Sequence, residues 1–330
     1  RDLHSFPTRR SSDLEGQVIR DGAAIIEYFE AANGRPCRPN TPKQQIVSGL
    51  FDLIGAEGLL RPAMHYRWNF PEENLSFLHH HFFHSQREHP EREAKTQYMM
   101  DKMRHAAMVF GVTDKSRALV ETLYMEFLLA LDKHFEQCPY LLGWKPCIGD
   151  FGLLAPLFGH LGRDPKPLQI MQQQAVHVYR WVERMNRSYQ DASEHYAVGS
   201  GFLADDQIPE TLLAALRVAA EDLLPETSAA AASINTVLAT NSVASGDRAS
   251  RYIGQSDGKA IFTVRGQRFE SGAQPYRFFQ LQLVQDAYQA CAENERSDID
   301  AMLESCGLQG LLDIKLERRL EQRDNLEVWV

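Results

Sequence analysis

The sequence predicts a mainly α-helical fold, a helical bundle with a small β-hairpin in its C-terminal part, and three observations carry that expectation. Residues 118–135 place Leu119, Leu123, Phe127, Leu131 and Phe135 at four-residue steps, which puts all five on one face of a helix. Leu168, Met171, Ala175, Val178, Val182 and Met185 alternate steps of three and four and predict a second apolar stripe in a single run. Residues 140–151 lead a hydrophobic turn into a helix start, and Leu153, Leu154, Leu157, Phe158 and Leu161 continue it as a buried helix. Helices with such stripes pack into a bundle.

Taken in order, residues 1–14 lack an initiator methionine and show no periodicity, and they read as a translated adapter; a genuine basic N-terminal arm is the other reading. Residues 17–20 predict a short strand, Asp21 and Gly22 a turn, and residues 23–32 a helix closed by Asn33 and Gly34. A proline-bearing connector follows, with a linker expected at 37–42. Thr41, Pro42 and Gln44 then supply a cap, a first-turn proline and a capping-box glutamine. Ile46, Val47, Leu50, Phe51 and Ile54 mark the apolar face of the helix that begins there.

Beyond about Gly201, residues 209–224 and the alanine-rich run after Pro225 predict two helices, 241–259 a loop, and 260–270 a hairpin turning at Arg265 and Gly266. More helices are expected after Pro275. Tyr276, Arg277, Phe278 and Phe279, with the mixed-charge run 315–323, suggest either a partner surface or solvated helix faces.

Bulk composition narrows the function classes. The 330 residues, 44% hydrophobic and 24% charged, suit a soluble globular protein of about two domains. A net charge of −9 argues against a nucleic-acid partner, which wants a basic face. Five cysteines at 37, 138, 147, 291 and 306 form no C-x-x-C pair, which argues against a disulfide framework and for a reducing, cytoplasmic setting. The most apolar stretch, 140–161, is broken by Lys145, Pro146, Asp150 and Pro156, so no membrane span is expected.

Tyr140, Leu141, Gly143, Pro146, Cys147 and Asp150 together resemble the hallmark of glutathione transferases that opens the buried helix of their all-helical domain. The family has serine or threonine where Cys147 stands. Asp150 suits the acid that closes a helix start, whereas the Cys147 thiol is a weak acceptor for a cap. A thiol at the positive end of a helix can also be a reactive thiolate, the sharper reading of Cys147 beside that of a small buried residue. The resemblance spans about residues 15–186. Its domain plan is a remnant of the thioredoxin-like half at 15–36, the helical domain at 43–190 and a C-terminal extension at 191–330.

The resemblance implies that the intact protein conjugates the co-substrate glutathione to a small electrophile, that the residue stabilising the thiolate lies upstream of this chain, and that a homodimer is a candidate assembly. At the position of Asp21 the family has an acid that pairs with the γ-glutamyl amino group, and at Gly22 a serine that holds the carboxylate. Asp21 and Gly22 are therefore candidate glutathione-binding residues, with plain helix capping as the equal alternative for Asp21. His65, Tyr66, Arg67 and Trp68 fall on the helix that borders the electrophile pocket in the family, and core filling is their other reading. His79, His80, His81, His84 and His89 tempt a metal reading, but no ligand set is completed and no metal is expected; an aromatic helix explains them. The competing function is a non-catalytic interaction or scaffold protein on the same fold.

Overall fold

The computed structural model describes residues 11–14, 17–86, 88–187, 192–195, 199–249 and 258–330. Strands β1 (Ser11–Leu14) and β2 (Gln17–Arg20) pair antiparallel, with Ser12 opposite Ile19, and lead into α1 (Gly22–Ala32). Residues 11–14 thus pair as a strand although they carry no readable periodicity; residues 1–10 of the segment read as an adapter lie outside the described residues.

The bundle begins with α2 (Pro42–Leu53), which passes through a π-helical turn at Ile54–Gly58 into α3 (Leu60–Trp68). It continues with α4 (Pro71–Ser85), α5 (Arg92–Val109), α6 (Arg117–Gln137) and α7 (Ile148–Pro156), then a second π-helical turn at Leu157–Leu161, α8 (Pro165–Gln174) and α9 (Val176–Met185). The start of α2 departs from expectation, because Thr41 makes no side-chain cap. Asp206 takes its place, accepting from the amides of Lys43 at 2.9 Å and Gln44 at 3.0 Å, while the Gln44 side chain donates to the carbonyls of Leu203 and Gln207. The contact of the π-helical turn Ile54–Gly58 with α7 is backbone to backbone: a Cβ on Gly55 would sit 2.2 Å from the Gly152 carbonyl, so only glycine fits.

The stripe read as one helix over 168–185 is two. The chain breaks at Ala175 (φ −145°, ψ 64°), and Asp132 of α6 accepts from the freed amides of His177 at 2.7 Å and Val178 at 3.2 Å. Met171, Ala175, Val178 and Val182 all remain buried, so the apolar period survives a break that it cannot reveal.

The C-terminal part packs onto the bundle. Helix α10 (Glu210–Thr240) lies along α6, and the hairpin β3 (Lys259–Val264) and β4 (Gln267–Gly272) lies against α10. Helix α11 (Pro275–Gln289) packs along α2 and is followed by α12 (Glu293–Ser305), a 3₁₀ turn at Leu311–Asp313, and a last hairpin, β5 (Leu320–Arg323) with β6 (Leu326–Trp329). Phe51, Leu131, Trp181, Ile234, Phe278 and Trp329 belong to one buried cluster that runs through both parts.

Two expectations fail here. The helices read on either side of Pro225 are one, since the ring's fixed φ suits a helix and the buried Leu223, Glu226 and Thr227 hold both halves against the same core. The run 315–323 is not a helix face: Leu320 points inward opposite Trp329, Glu321 outward, and Asp324 (φ 50°) and Asn325 (φ 64°) form the two-residue turn that hairpins favour. Residues 250–257 of the expected loop lie outside the described residues. Among the described residues no helix is long and apolar enough to cross a membrane.

Candidate functional site

The turn before α7 is the best-braced point of the bundle. Asp150, fully buried, accepts from the Cys147 amide at 2.8 Å, the Leu141 amide at 3.2 Å and the Trp181 indole at 2.9 Å. Burial lifts its carboxyl to about pH 6 even though these three donors favour the charged form. His134 donates through Nε2 to the Tyr140 carbonyl at 3.3 Å and receives the Thr211 hydroxyl at Nδ1, and burial lowers its pKa to about 4, so it is neutral. Arg184 reaches the Pro139 carbonyl at 2.8 Å with Glu194 as its counter-ion. These contacts fix the turn. The Cys147 thiol is fully buried and its pKa is raised well above the usual thiol range by burial, which opposes the thiolate reading.

At the head of α1, Asp21 holds a positive φ of 84° and makes no side-chain cap, so the capping alternative is not what its carboxylate does. The carboxylate instead accepts the Tyr276 hydroxyl of α11 at 2.7 Å, and Gln280 donates to the same phenol oxygen at 2.7 Å. Asp52 of α2 is close: burial first, and then the charge of Asp21, raise its pKa to about 7 against the pull of Arg38. No atom lies within 4 Å of where a Cβ on Gly22 would stand, so there is free space beside the first residue of α1. The head of α1 therefore sets Asp21, with Asp52 half protonated near neutral pH, beside a helix start, an arrangement that suits a group carrying an ammonium beside a carboxylate.

The four residues proposed as an electrophile pocket are all inside α3's packing. His65 donates from Nε2 to Glu121 at 2.8 Å, receives the Asn69 amide at Nδ1 at 2.9 Å, and is held neutral by burial. Tyr66 stacks on Phe70 with ring centres 5.4 Å apart. Arg67 forms a two-pronged pair with buried Asp164 at 2.6 and 3.0 Å and also reaches the Gly159 carbonyl. Trp68 packs against Phe82. These contacts engage the polar groups of His65 and Arg67, whereas the Trp68 indole N–H is buried without a partner among the described residues.

On α4, Leu78 and Phe82 are buried, His79 pairs with Glu93 at 2.7 Å, and the His80 and His84 rings lie 4.4 Å apart. Among the described residues no set of three or more His, Cys, Asp or Glu side chains is placed to hold a metal ion. The Tyr276 segment, suggested as a partner surface, turns inward: Arg277 and Phe278 are buried.

What the sequence did not disclose is a buried ion cluster. Arg61 of α3 pairs with Asp222 and with Glu226 of α10 (2.7 Å), and donates to the Phe110 carbonyl at 2.8 Å. Glu226 also takes Arg277 at 2.7 Å and the Ser271 hydroxyl at 2.6 Å; burial raises its pKa, but the two arginines outweigh that and hold it below the usual range. The Arg61 guanidinium lies 5.3 Å from the Phe262 ring centre and 4.9 Å from that of Phe269. Beside it, Leu59, Arg61, Tyr124, Phe127, Asp222 and Glu226 line part of a cavity of about 50 Å³ between α3, α6 and α10. No local spacing marks residues 61, 222, 226, 271 and 277 as partners.

Residues 89–188, from just before α5 to just past α9, match the family model described as Glutathione S-transferase, C-terminal domain. No curated protein and no solved structure matches the chain.

Proposed function

We propose, from the match of residues 89–188 to the C-terminal-domain model of glutathione S-transferases, that the chain belongs to that superfamily, that the intact protein joins glutathione to a small electrophile, and that this chain, which lacks the thiolate-stabilising residue, contributes a glutathione-binding site at the head of α1. The observation that carries the proposal is the pairing of this helical domain with the Asp21 carboxylate, held by the Tyr276 hydroxyl at the start of α1, with free space beside Gly22. Asp21 would hold the γ-glutamyl ammonium, oriented by the Tyr276 hydroxyl, and the amides at Gly22 would receive the neighbouring carboxylate. Glutathione itself supplies the thiol that becomes the nucleophile. Cys147 is no substitute for that thiol, because it is buried and protonated.

A non-catalytic interaction protein on the same fold is the second reading, and the burial of His65, Tyr66, Arg67 and Trp68 favours it. Calorimetric titration of glutathione into the chain and its Asp21→Asn variant separates the two, together with an assay for conjugation to a model electrophile by the intact protein. The transferase reading expects saturable binding that Asp21→Asn weakens about tenfold or more, as befits loss of a charge-assisted hydrogen bond. Binding that ignores Asp21→Asn rejects this site. Absence of both binding and conjugation supports the interaction reading.

A further inference from the structure

The cavity between α3, α6 and α10 carries two polar atoms that its walls do not satisfy. Tyr124 is 2% exposed, and its hydroxyl has no hydrogen-bond partner among the described residues; nor has Oδ1 of Asp222, whose Oδ2 is taken by Arg61. Both residues line the same cavity, otherwise walled by Ile54, Leu59, Val120 and Leu123 and their neighbours. A buried polar atom without a partner costs free energy, and an unpartnered donor and acceptor on two residues that line one void ask for an occupant that can both give and take a hydrogen bond.

The walls narrow the occupant. A cation would meet Arg61, and an anion would meet Asp222 and Glu226, while these charges already neutralise one another. The occupant is therefore neutral. The apolar wall disfavours a primary amide, which carries more polar groups than the two available here can satisfy. A cavity of about 50 Å³ exceeds the space one water needs and falls short of that for an aromatic ring, leaving room for a few heavy atoms.

We propose that this cavity is a binding site for a small aliphatic alcohol, whose hydroxyl donates to Asp222 Oδ1 and accepts from the Tyr124 hydroxyl while its alkyl part fills the space between Leu59, Val120 and Leu123. The site is separate from the head of α1 and requires no glutathione. Hairpin β3–β4 supports it from outside. Phe262 and Phe269 clamp Arg61, Ser271 holds Glu226, and Arg265 at the hairpin tip binds Glu126 of α6 and Glu221 of α10 at 2.6–2.9 Å. So small an occupant binds no tighter than roughly the millimolar range.

The test titrates 2-propanol and acetone, which share a carbon skeleton but differ in the ability to donate, into the full chain and its Tyr124→Phe variant. The readout is the methyl NMR shifts of Val120, Leu123 and Val218. Saturable 2-propanol shifts, weakened about two- to tenfold both by the exchange for acetone and by Tyr124→Phe, are the expected result. Tyr124→Phe removes an unsatisfied hydroxyl and should fold; if it does not, the alcohol-to-ketone comparison on the unaltered chain decides. Shifts linear in concentration, equal response to the ketone, or a crystal structure at high 2-propanol showing only water in the cavity would overturn the proposal.

Discussion

At the scale of single residues, Glu57 ties charge to stability. It is buried in the π-helical turn after α2, and burial first, then the charges of Glu226, Glu327 and Asp21, raise its pKa from 4.5 to about 7 against the pull of Arg277. The folded chain thus holds this proton more tightly than the unfolded chain. The contribution is complete below about pH 4.5 and is lost as pH rises through about 7. Asp52, raised from 3.8 to about 7 with burial as the main cause, acts in the same direction. Glu57→Gln should therefore flatten the fall of stability between pH 4.5 and 8 without abolishing it, and should gain on the order of 2 kcal/mol at pH 8. Thermal melts of both proteins across that range check this, and parallel curves would contradict it. Asp21 shows how far a residue can be read alone: its place at a helix head was legible, whereas its partner Tyr276 stands 255 positions away and no local pattern could name it.

Among the elements, the π-helical turn Ile54–Gly58 meets α7 backbone to backbone, and two glycines of the same region respond oppositely to one methyl group. Gly55→Ala forces a Cβ into the Gly152 carbonyl and should cost about 3 kcal/mol, the upper range for overpacking, because neither backbone can move away cheaply. At Gly159, in the turn after α7, a Cβ meets nothing within 4 Å, and Gly159→Ala should stabilise by about 0.5–1 kcal/mol through the unfolded state. Urea unfolding of the two variants measures both signs, and a tolerated Gly55→Ala would mean that the helices are farther apart than described. The same scale shows where sequence reading stops. The four-residue stripe of α6 is a local property, so that helix was legible. The break at Ala175 depends on Asp132 arriving from α6, the start of α2 on Asp206, and the passage of α10 through Pro225 on burial of Leu223 and Thr227. Each is a tertiary contact that overrides a local signal. His65, Tyr66, Arg67 and Trp68 illustrate the same limit, since residue types that suit a ligand also suit a core, and only their partners distinguish the two.

At the scale of the whole molecule, one carboxylate links the C-terminal part to the bundle. Glu226 of α10 binds Arg61 of α3, Ser271 of β4 and Arg277 of α11. Replacing it by alanine leaves two guanidiniums buried near each other with one fewer counter-charge between them. Removing one side of a buried ion pair typically costs about 3–5 kcal/mol. Because α3 and α11 share the loss, the cost should fall on the molecule as a unit. Amide hydrogen exchange in Glu226→Ala should therefore accelerate together in α6 and in α11 by the same free energy. Glu226→Gln, which keeps the shape and loses the charge, should lie between it and the parent. Faster exchange in α11 with α6 unchanged would mean that residues 275–330 melt independently, and that the buried cluster joins parts which are stable apart. Exposed Arg265 is the internal control. Its pairs with Glu126 and Glu221 are solvent-screened, so Arg265→Ala should cost about 1 kcal/mol or less and leave both helices protected.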